Sequence, residues 1–121
     1  MKVELSKRQK AIARDLAARA YEREMGKLLT PLAQAFEQWR AGKKGTWDLV
    51  EEIDRVAVPR RRLSQRYDTN SIAPMMVAHA IVVGLLREDE VPGELVQALE
   101  KPIAFYRRGL ADGSVSMEEE D

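Results

Sequence analysis

Residues 7–40 read KRQKAIARDLAARAYEREMGKLLTPLAQAFEQWR, and their apolar side chains recur mostly every three or four positions. Side chains at this spacing share one face of an α-helix, so the segment predicts one long amphipathic helix. The apolar stripe consists of Ile12, Leu16, Ala20, Tyr21, Met25, Leu28, Leu32, Phe36 and Trp39. Ser6 precedes the stripe and is a residue type that caps helices, while Gly42 follows it and is expected to end the helix.

Pro31 lies in the middle of this helix, where a proline removes one backbone donor and clashes with the preceding turn. Because the stripe stays in phase across the proline, we expect a nearly continuous helix that is kinked at Thr30 and Pro31. The alternative is a true break, with Thr30 as the N-cap of a new helix. A straight helix over this segment would measure about 52 Å, which exceeds the diameter of roughly 35 Å expected for a compact domain of this size. The helix is therefore expected to bend, or to have its overhang covered by another subunit.

A second helix is predicted to start at Thr46, whose hydroxyl can cap it. Its expected buried side consists of Leu49, Val50, Ile53, Val56 and Ala57. Pro59 should end or kink this helix, and then open a short third helix through Tyr67, with Leu63 and Tyr67 facing inward. Trp39 and Trp47 are expected to pack where the first two helices meet; the alternative is that one of them is exposed at a partner surface.

The segment 72–87 has apolar residues all round, which predicts a helix surrounded by other helices. A last helix is expected from Pro92, kinked at Pro102 and ended by Gly109 or Gly113.

No stretch outside these helices has the pattern of a strand with a partner, so the sequence predicts an all-α fold of four to five helices. We expect one helical domain over residues 1–112. Residues 113–121 finish with four acidic side chains and are expected to form a disordered tail.

The composition argues against most catalytic and metal chemistry. The 121 residues contain no cysteine and one histidine, His79. Thiolate sites, disulfides and sites built from several histidines are therefore excluded. A histidine within the most apolar helix can be a general base or a metal ligand, but no acid lies one turn away, so a core histidine hydrogen-bonded to another helix is the favoured interpretation. We predict no enzyme activity, no metal and no cofactor.

The beginning of the chain lacks the apolar segment of a secretory signal. The longest run without a charged residue, 69–86, is too short and too polar to span a bilayer. We therefore expect a cytoplasmic protein that does not bind membranes.

The charges are unevenly distributed, although twenty basic side chains balance twenty acidic ones. Residues 1–44 carry eleven basic and five acidic side chains, residues 45–70 carry five of each, and residues 71–121 carry four basic and ten acidic. The favoured interpretation is that the basic beginning and the acidic end pair across the surface. The alternative is a contact between subunits or a basic face for a polyanion.

The densest basic cluster consists of Arg60, Arg61, Arg62 and Arg66. Such a cluster can hold phosphates or an acidic protein surface, but acidic residues lie nearby and no DNA-recognition module accompanies it, so a solvated face is favoured. A nucleic-acid-associated regulator remains the alternative function. It would use this cluster or a second basic group near the beginning of the chain, formed by Lys7, Arg8, Lys10 and Arg14.

A set of scattered positions within residues 20–90 forms a recognisable pattern: Ala20-Tyr21-Glu22-Arg23-Glu24-Met25, Leu28-Leu29, Asp54, Arg60, Arg66-Tyr67-Asp68 and Gly84-Leu85-Leu86. At these positions the chain resembles the fluorescence recovery protein family. Members of that family are small all-helical homodimers that bind the orange carotenoid protein and speed its return to the resting form. The resemblance implies that Asp54 and Arg60 belong to a dimer and partner surface. The family's tryptophan four residues before that aspartate is here Val50, with Trp47 one turn earlier.

The resulting hypothesis is a homodimeric helical regulator that binds a protein partner and performs no catalysis. The resemblance implies a carotenoid-binding protein as this partner. The residues expected at its dimer or partner contact are Trp47, Asp54, Arg60, Arg61, Arg62 and Arg66.

Overall fold

The computed structural model describes residues 3–67 and 73–113, and their secondary structure is entirely helical. The α-helices are α1 (Lys7–Arg40), α2 (Thr46–Arg66), α3 (Ala73–Val82), α4 (Gly93–Ala98) and α5 (Glu100–Asp112). A 3-10 turn, Glu88–Glu90, lies between α3 and α4. The predicted all-α fold is confirmed.

Helix α1 runs without interruption through Pro31, so a break at Thr30 does not occur. The Thr30 hydroxyl donates instead to the Gly26 carbonyl within the helix, at 2.8 Å. At the start of α1, the Gln9 N–H donates to Ser6 Oγ at 3.1 Å and the Ser6 N–H donates to Gln9 Oε1 at 2.9 Å. This reciprocal pair is a capping box, which confirms Ser6 as the N-cap.

Gly42 ends α1 in the left-handed region, with φ of 76°. The Lys43 N–H bonds back to the Gln38 carbonyl at 2.8 Å, and the Gly42 N–H bonds to the Trp39 carbonyl at 3.0 Å. These two bonds form a Schellman motif, which satisfies carbonyls that the helix end would leave without donors.

The predicted end of the second helix at Pro59 is wrong, because α2 continues through Pro59 to Arg66. The proline leaves only the Arg55 carbonyl without its helical donor, and both residues are exposed, so solvent can supply the missing hydrogen bond. No separate short helix starts at Pro59. The N-cap of α2 is Gly45 rather than Thr46. The Thr46 hydroxyl accepts a hydrogen bond from the Trp39 indole at 3.0 Å instead.

The predicted apolar helix over 72–87 is shorter in the structure, since α3 ends at Val82 and residue 72 lies outside the described residues. Gly84 adopts φ of 84°, and the Leu85 and Leu86 N–H groups both bond to the Ala80 carbonyl, at 2.9 and 3.1 Å. Apolar residues continue past the helix end because the turn after it is also buried. The apolar pattern of residues 72–87 alone could not show where the buried helix ends and the buried turn begins. Burial of the helix itself is confirmed, with seven of its ten residues buried.

The predicted last helix is divided into α4 and α5 at Leu99, whose φ and ψ are −99° and 12°. Pro102 does not kink a helix, because it falls in the first turn of α5, where backbone N–H groups have no helical partner. Gly113 ends α5 with φ of 84°, which confirms the later of the two expected endings. The tail was predicted for residues 113–121. From residue 114 onward, these residues are outside the part of the chain that the structure describes.

The chain forms two compact units, one of Met1–Ala20 with Thr69–Asp121 and one of Tyr21–Asp68. In the first unit α3 packs against α5. Its largest fully buried side chains are Val77, Leu86, Leu95, Leu99 and Pro102. The second unit contains the later part of α1 together with α2, and we call these two helices the hairpin.

Candidate interaction surfaces

The two helices of the hairpin run antiparallel, as the contacts at its two ends show. Near the connecting turn, the Trp39 indole donates to Thr46 Oγ1. At the open end, Arg66 Nη1 lies 3.0 Å from Glu24 Oε2. The Tyr21 hydroxyl lies 3.3 Å from Ser64 Oγ at the same end. Early residues of α1 therefore meet late residues of α2.

The interior of the hairpin contains few buried side chains. Ala35 on α1 and Leu49 and Leu63 on α2 are buried. The predicted inward orientation of Leu63 is confirmed, and Tyr67 is half-buried against the Tyr21 ring, with centroids 5.4 Å apart. Two helices bury one narrow stripe each when they pack only against each other, so most of the hairpin surface remains open.

One side of the hairpin is polar, and the contact between Glu24 and Arg66 locates it. Residues three, four or seven positions apart share a side of a helix, so Arg55 and Arg62 lie on the Arg66 side of α2, and Lys27 lies on the Glu24 side of α1. We call this side the polar face. Its exposed polar side chains are Arg23, Lys27, Gln34 and Gln38 on α1 and Asp48, Glu51, Arg55 and Arg62 on α2.

The opposite side of both helices is apolar and largely exposed. On α1, Leu29 and Phe36 are exposed, and on α2, Val50 and Ile53 retain 44% and 39% of their accessible surface. We call this side the apolar face, and its members are Met25, Leu29, Leu32, Phe36, Val50, Ile53 and Ala57. The prediction that Val50 and Ile53 are buried is wrong for this chain, because α1 covers only the stripe that contains Leu49 and Leu63.

A third surface follows α2 on the side away from its buried leucines. Trp47, Asp54, Val58 and Arg61 are spaced by seven, four and three residues, so they share this side, which we call the outer ridge. Trp47 is 75% exposed, and its indole N–H donates to Glu51 Oε1 at 3.0 Å. The prediction that both tryptophans pack where the helices meet is therefore wrong for Trp47, and Trp39, which bonds to Thr46 at that place, is itself 39% exposed. The alternative, one tryptophan at a partner surface, stays a prediction.

The four clustered arginines do not form one patch. Helical geometry places Arg60 beside the apolar face, Arg61 on the outer ridge and Arg62 on the polar face. Arg66 is bonded to Glu24 within the hairpin, and the two side chains are only 18% and 19% exposed. Consecutive residues on a helix point in different directions, so sequence proximity did not bring these guanidinium groups together.

Charge is divided along the hairpin. Its open half, residues 21–31 and 55–67, carries seven basic and two acidic side chains, while residues 32–54 carry three basic and five acidic. The open half is therefore net positive by five charges, and the half near the turn is net negative by two.

In the first unit, two ion pairs join the basic beginning of the chain to the acidic later part. Arg8 lies 3.9 Å from Glu94, and Arg19 lies 3.8 Å from Glu90. The expected pairing of these charge blocks thus occurs at two places. Long, partly exposed pairs of this kind stabilise a fold only weakly. The other basic residues of the predicted N-terminal group, Lys7, Lys10 and Arg14, are exposed.

His79 is buried on α3, with the Tyr106 ring of α5 edge-on at 5.2 Å between centroids. The predicted location in the core is confirmed. Within residues 3–67 and 73–113, no three histidine or carboxylate side chains are grouped so that they could hold a metal ion.

An open cleft of about 340 Å³ lies beside α5, and its lining includes Val96, Ile103 and Ala104. Arg107 and Glu88 also line it, and Arg107 Nη2 donates to Glu88 Oε1 at 2.8 Å.

Comparisons with protein-family models, curated proteins and solved structures find no match to this chain. In the part of the chain that the structure describes, none of the helices combines the length and apolar character that crossing a bilayer requires.

The sequence analysis did not predict the exposed apolar face. The apolar arc on α2 is wider than one neighbouring helix can cover, and this width was a usable signal.

Proposed function

We propose that this protein is a homodimeric, non-catalytic helical regulator that acts by binding another protein through the hairpin. One observation carries the proposal. Of the eight large apolar side chains exposed among the described residues, seven belong to the hairpin. Exposed apolar side chains concentrated in this way are typical of protein–protein contacts, because covering them removes apolar surface from water at about 25 cal/mol per Å².

The apolar face is assigned to a second copy of the chain. Two hairpins that pack through this face form a four-helix arrangement, in which every helix gains a second neighbour. The contact is isologous, since the same residues of both copies face each other across a two-fold axis. Leu32 and Ile53 lie nearer the middle of the face than Met25 or Phe36, so their surroundings are the most completely covered in such a dimer.

The outer ridge is assigned to the protein partner. Tryptophan and arginine are the side chains most often found at the energetic centres of interfaces. The hydrogen bond to Glu51 holds the Trp47 ring in place, so binding orders it at little entropic cost. Asp54 and Arg61, about 10 and 21 Å farther along α2, provide charges of both signs on the same ridge. The resemblance to the fluorescence recovery protein family supplies a concrete partner, a protein like the orange carotenoid protein.

Light scattering after size exclusion tests the dimer. We expect twice the chain mass across micromolar concentrations, and a strict monomer there would overturn the dimer assignment. The partner is tested separately by following the recovery of a photoactivated orange carotenoid protein. Accelerated recovery supports the assignment, and unchanged kinetics with a dimeric sample would reject this partner while retaining the dimer.

A further inference from the structure

We infer that the polar face of the hairpin binds the phosphate backbone of double-stranded nucleic acid without reading its sequence. This goes beyond the proposed regulator, which uses the apolar face and the outer ridge. The proposal rests on the position of the cations, on the net charge around them and on the scarcity of exposed apolar side chains among the described residues of this face.

The cations are arranged on neighbouring helices rather than along one segment of sequence. Arg55 and Arg62 are separated by two helical turns, about 10 Å along α2, and Arg23 and Lys27 are separated by one turn, about 6 Å along α1. Packed helices are 8–10 Å apart, so these four side chains cover an area that several phosphates of a duplex can contact together.

The surrounding charge favours a polyanion. The open half of the hairpin, which contains all four cations, carries seven basic side chains against Glu22 and Glu24. Glu24 is already bonded to Arg66. Asp48 and Glu51 also belong to the polar face but lie on the other half of the hairpin. Glu51 is 3.7 Å from Arg55, and because both side chains are largely exposed, water screens their attraction. The resulting field attracts phosphates at low salt.

The composition of the face distinguishes among anionic partners. Among the exposed large apolar side chains of the described hairpin, only Val58 borders the polar face, and the others lie off it or at its turn. A protein interface normally needs a buried apolar centre, and a membrane surface needs apolar side chains that enter the lipid. The polar face offers cations together with the amides of Gln34 and Gln38, which are the groups that proteins use on phosphates and sugars.

The test measures the fluorescence anisotropy of a labelled 20-base-pair DNA duplex between about 50 and 200 mM salt. The triple variant Lys27→Gln, Arg55→Gln, Arg62→Gln is compared with a matched control, Lys7→Gln, Arg8→Gln, Lys10→Gln, which loses the same charge from the first unit. We expect the control to bind like the wild type. The polar-face variant should bind about tenfold or more weakly at 50 mM salt, and the slope of log affinity against log salt should fall by about 3.

Circular dichroism is the folding control: both variants should keep the helical content of the wild type. The wild-type salt slope tests the proposal without any variant, since binding that does not weaken with salt would overturn it. Three other results would also overturn it: no wild-type binding at 50 mM salt, equal losses in both variants, or equally tight binding to phosphatidylserine vesicles or polyglutamate.

Discussion

Arg66 Nη1 lies 3.0 Å from Glu24 Oε2 at the open end of the hairpin, and both side chains are largely buried. This contact fixes the rotation of α2 relative to α1, because it brings the polar sides of both helices to one surface. The opposite, apolar sides are then also brought together, which creates an exposed face that neither helix has alone.

Glu24→Gln removes the charge on one side of this contact while preserving the shape of the side chain. The pair is mostly shielded from water, so we expect a loss of about 1–2 kcal/mol in the free energy of unfolding, measured by urea denaturation. Glu51→Gln is the matched control, because it breaks the exposed pair with Arg55 and should cost less than about 0.5 kcal/mol. Equal losses in the two variants would contradict the structural role of Glu24.

Ile53→Glu places a charge on the apolar face, where a second copy would have to bury it. We expect light scattering to report a monomer at micromolar concentration, while circular dichroism shows the helical content retained, since Ile53 is already 39% exposed. Gln34→Glu introduces the same charge on the polar face and should leave the dimer intact. A dimeric Ile53→Glu protein would place the subunit contact elsewhere.

Trp47→Ala separates partner binding from stability. A side chain that is 75% exposed contributes little to the core, so we expect the free energy of unfolding to change by less than about 0.5 kcal/mol. Because we propose that Trp47 belongs to the partner surface, its removal should nevertheless weaken binding by about 2 kcal/mol, or roughly 30-fold, in a titration against the proposed partner, a photoactivated orange carotenoid protein. Wild-type affinity in the variant would remove Trp47 from the partner surface.

Two glycines should respond to alanine with opposite signs, although a Cβ would meet nothing within 4 Å at either position. Gly84 has φ of 84°, so Gly84→Ala forces the left-handed conformation on an L-residue and should destabilise the protein by about 1–2 kcal/mol. Gly26 lies within α1, so Gly26→Ala should stabilise it by about 0.5–1 kcal/mol. The midpoints of urea denaturation measure both stability changes. If both variants shifted the midpoint in the same direction, this account of the two glycine conformations would be contradicted.

The sequence predicted the structure best where neighbouring residues along the chain determine the backbone conformation. The stripe of α1, the Ser6 cap and the helix ends at Gly42 and Gly113 follow from helical periodicity and backbone conformation, and these were predicted correctly, whereas the turn at Gly84 was not predicted. The predictions at Pro59 and Pro102 were wrong, because the effect of a proline depends on which carbonyl loses its hydrogen bond when the proline N–H is missing. At Pro59 the deprived carbonyl belongs to an exposed residue, and at Pro102 the first helical turn requires no donor.

The sequence by itself determined that the chain is helical, that His79 belongs to a core and that the basic and acidic residues are segregated along the chain. Only the tertiary structure decided which apolar side chains stay exposed, since periodicity identifies an apolar side of a helix but not how much of it a neighbour covers. In the hairpin each helix has one neighbour, and the area that neighbour leaves open is the surface on which the proposed interactions depend.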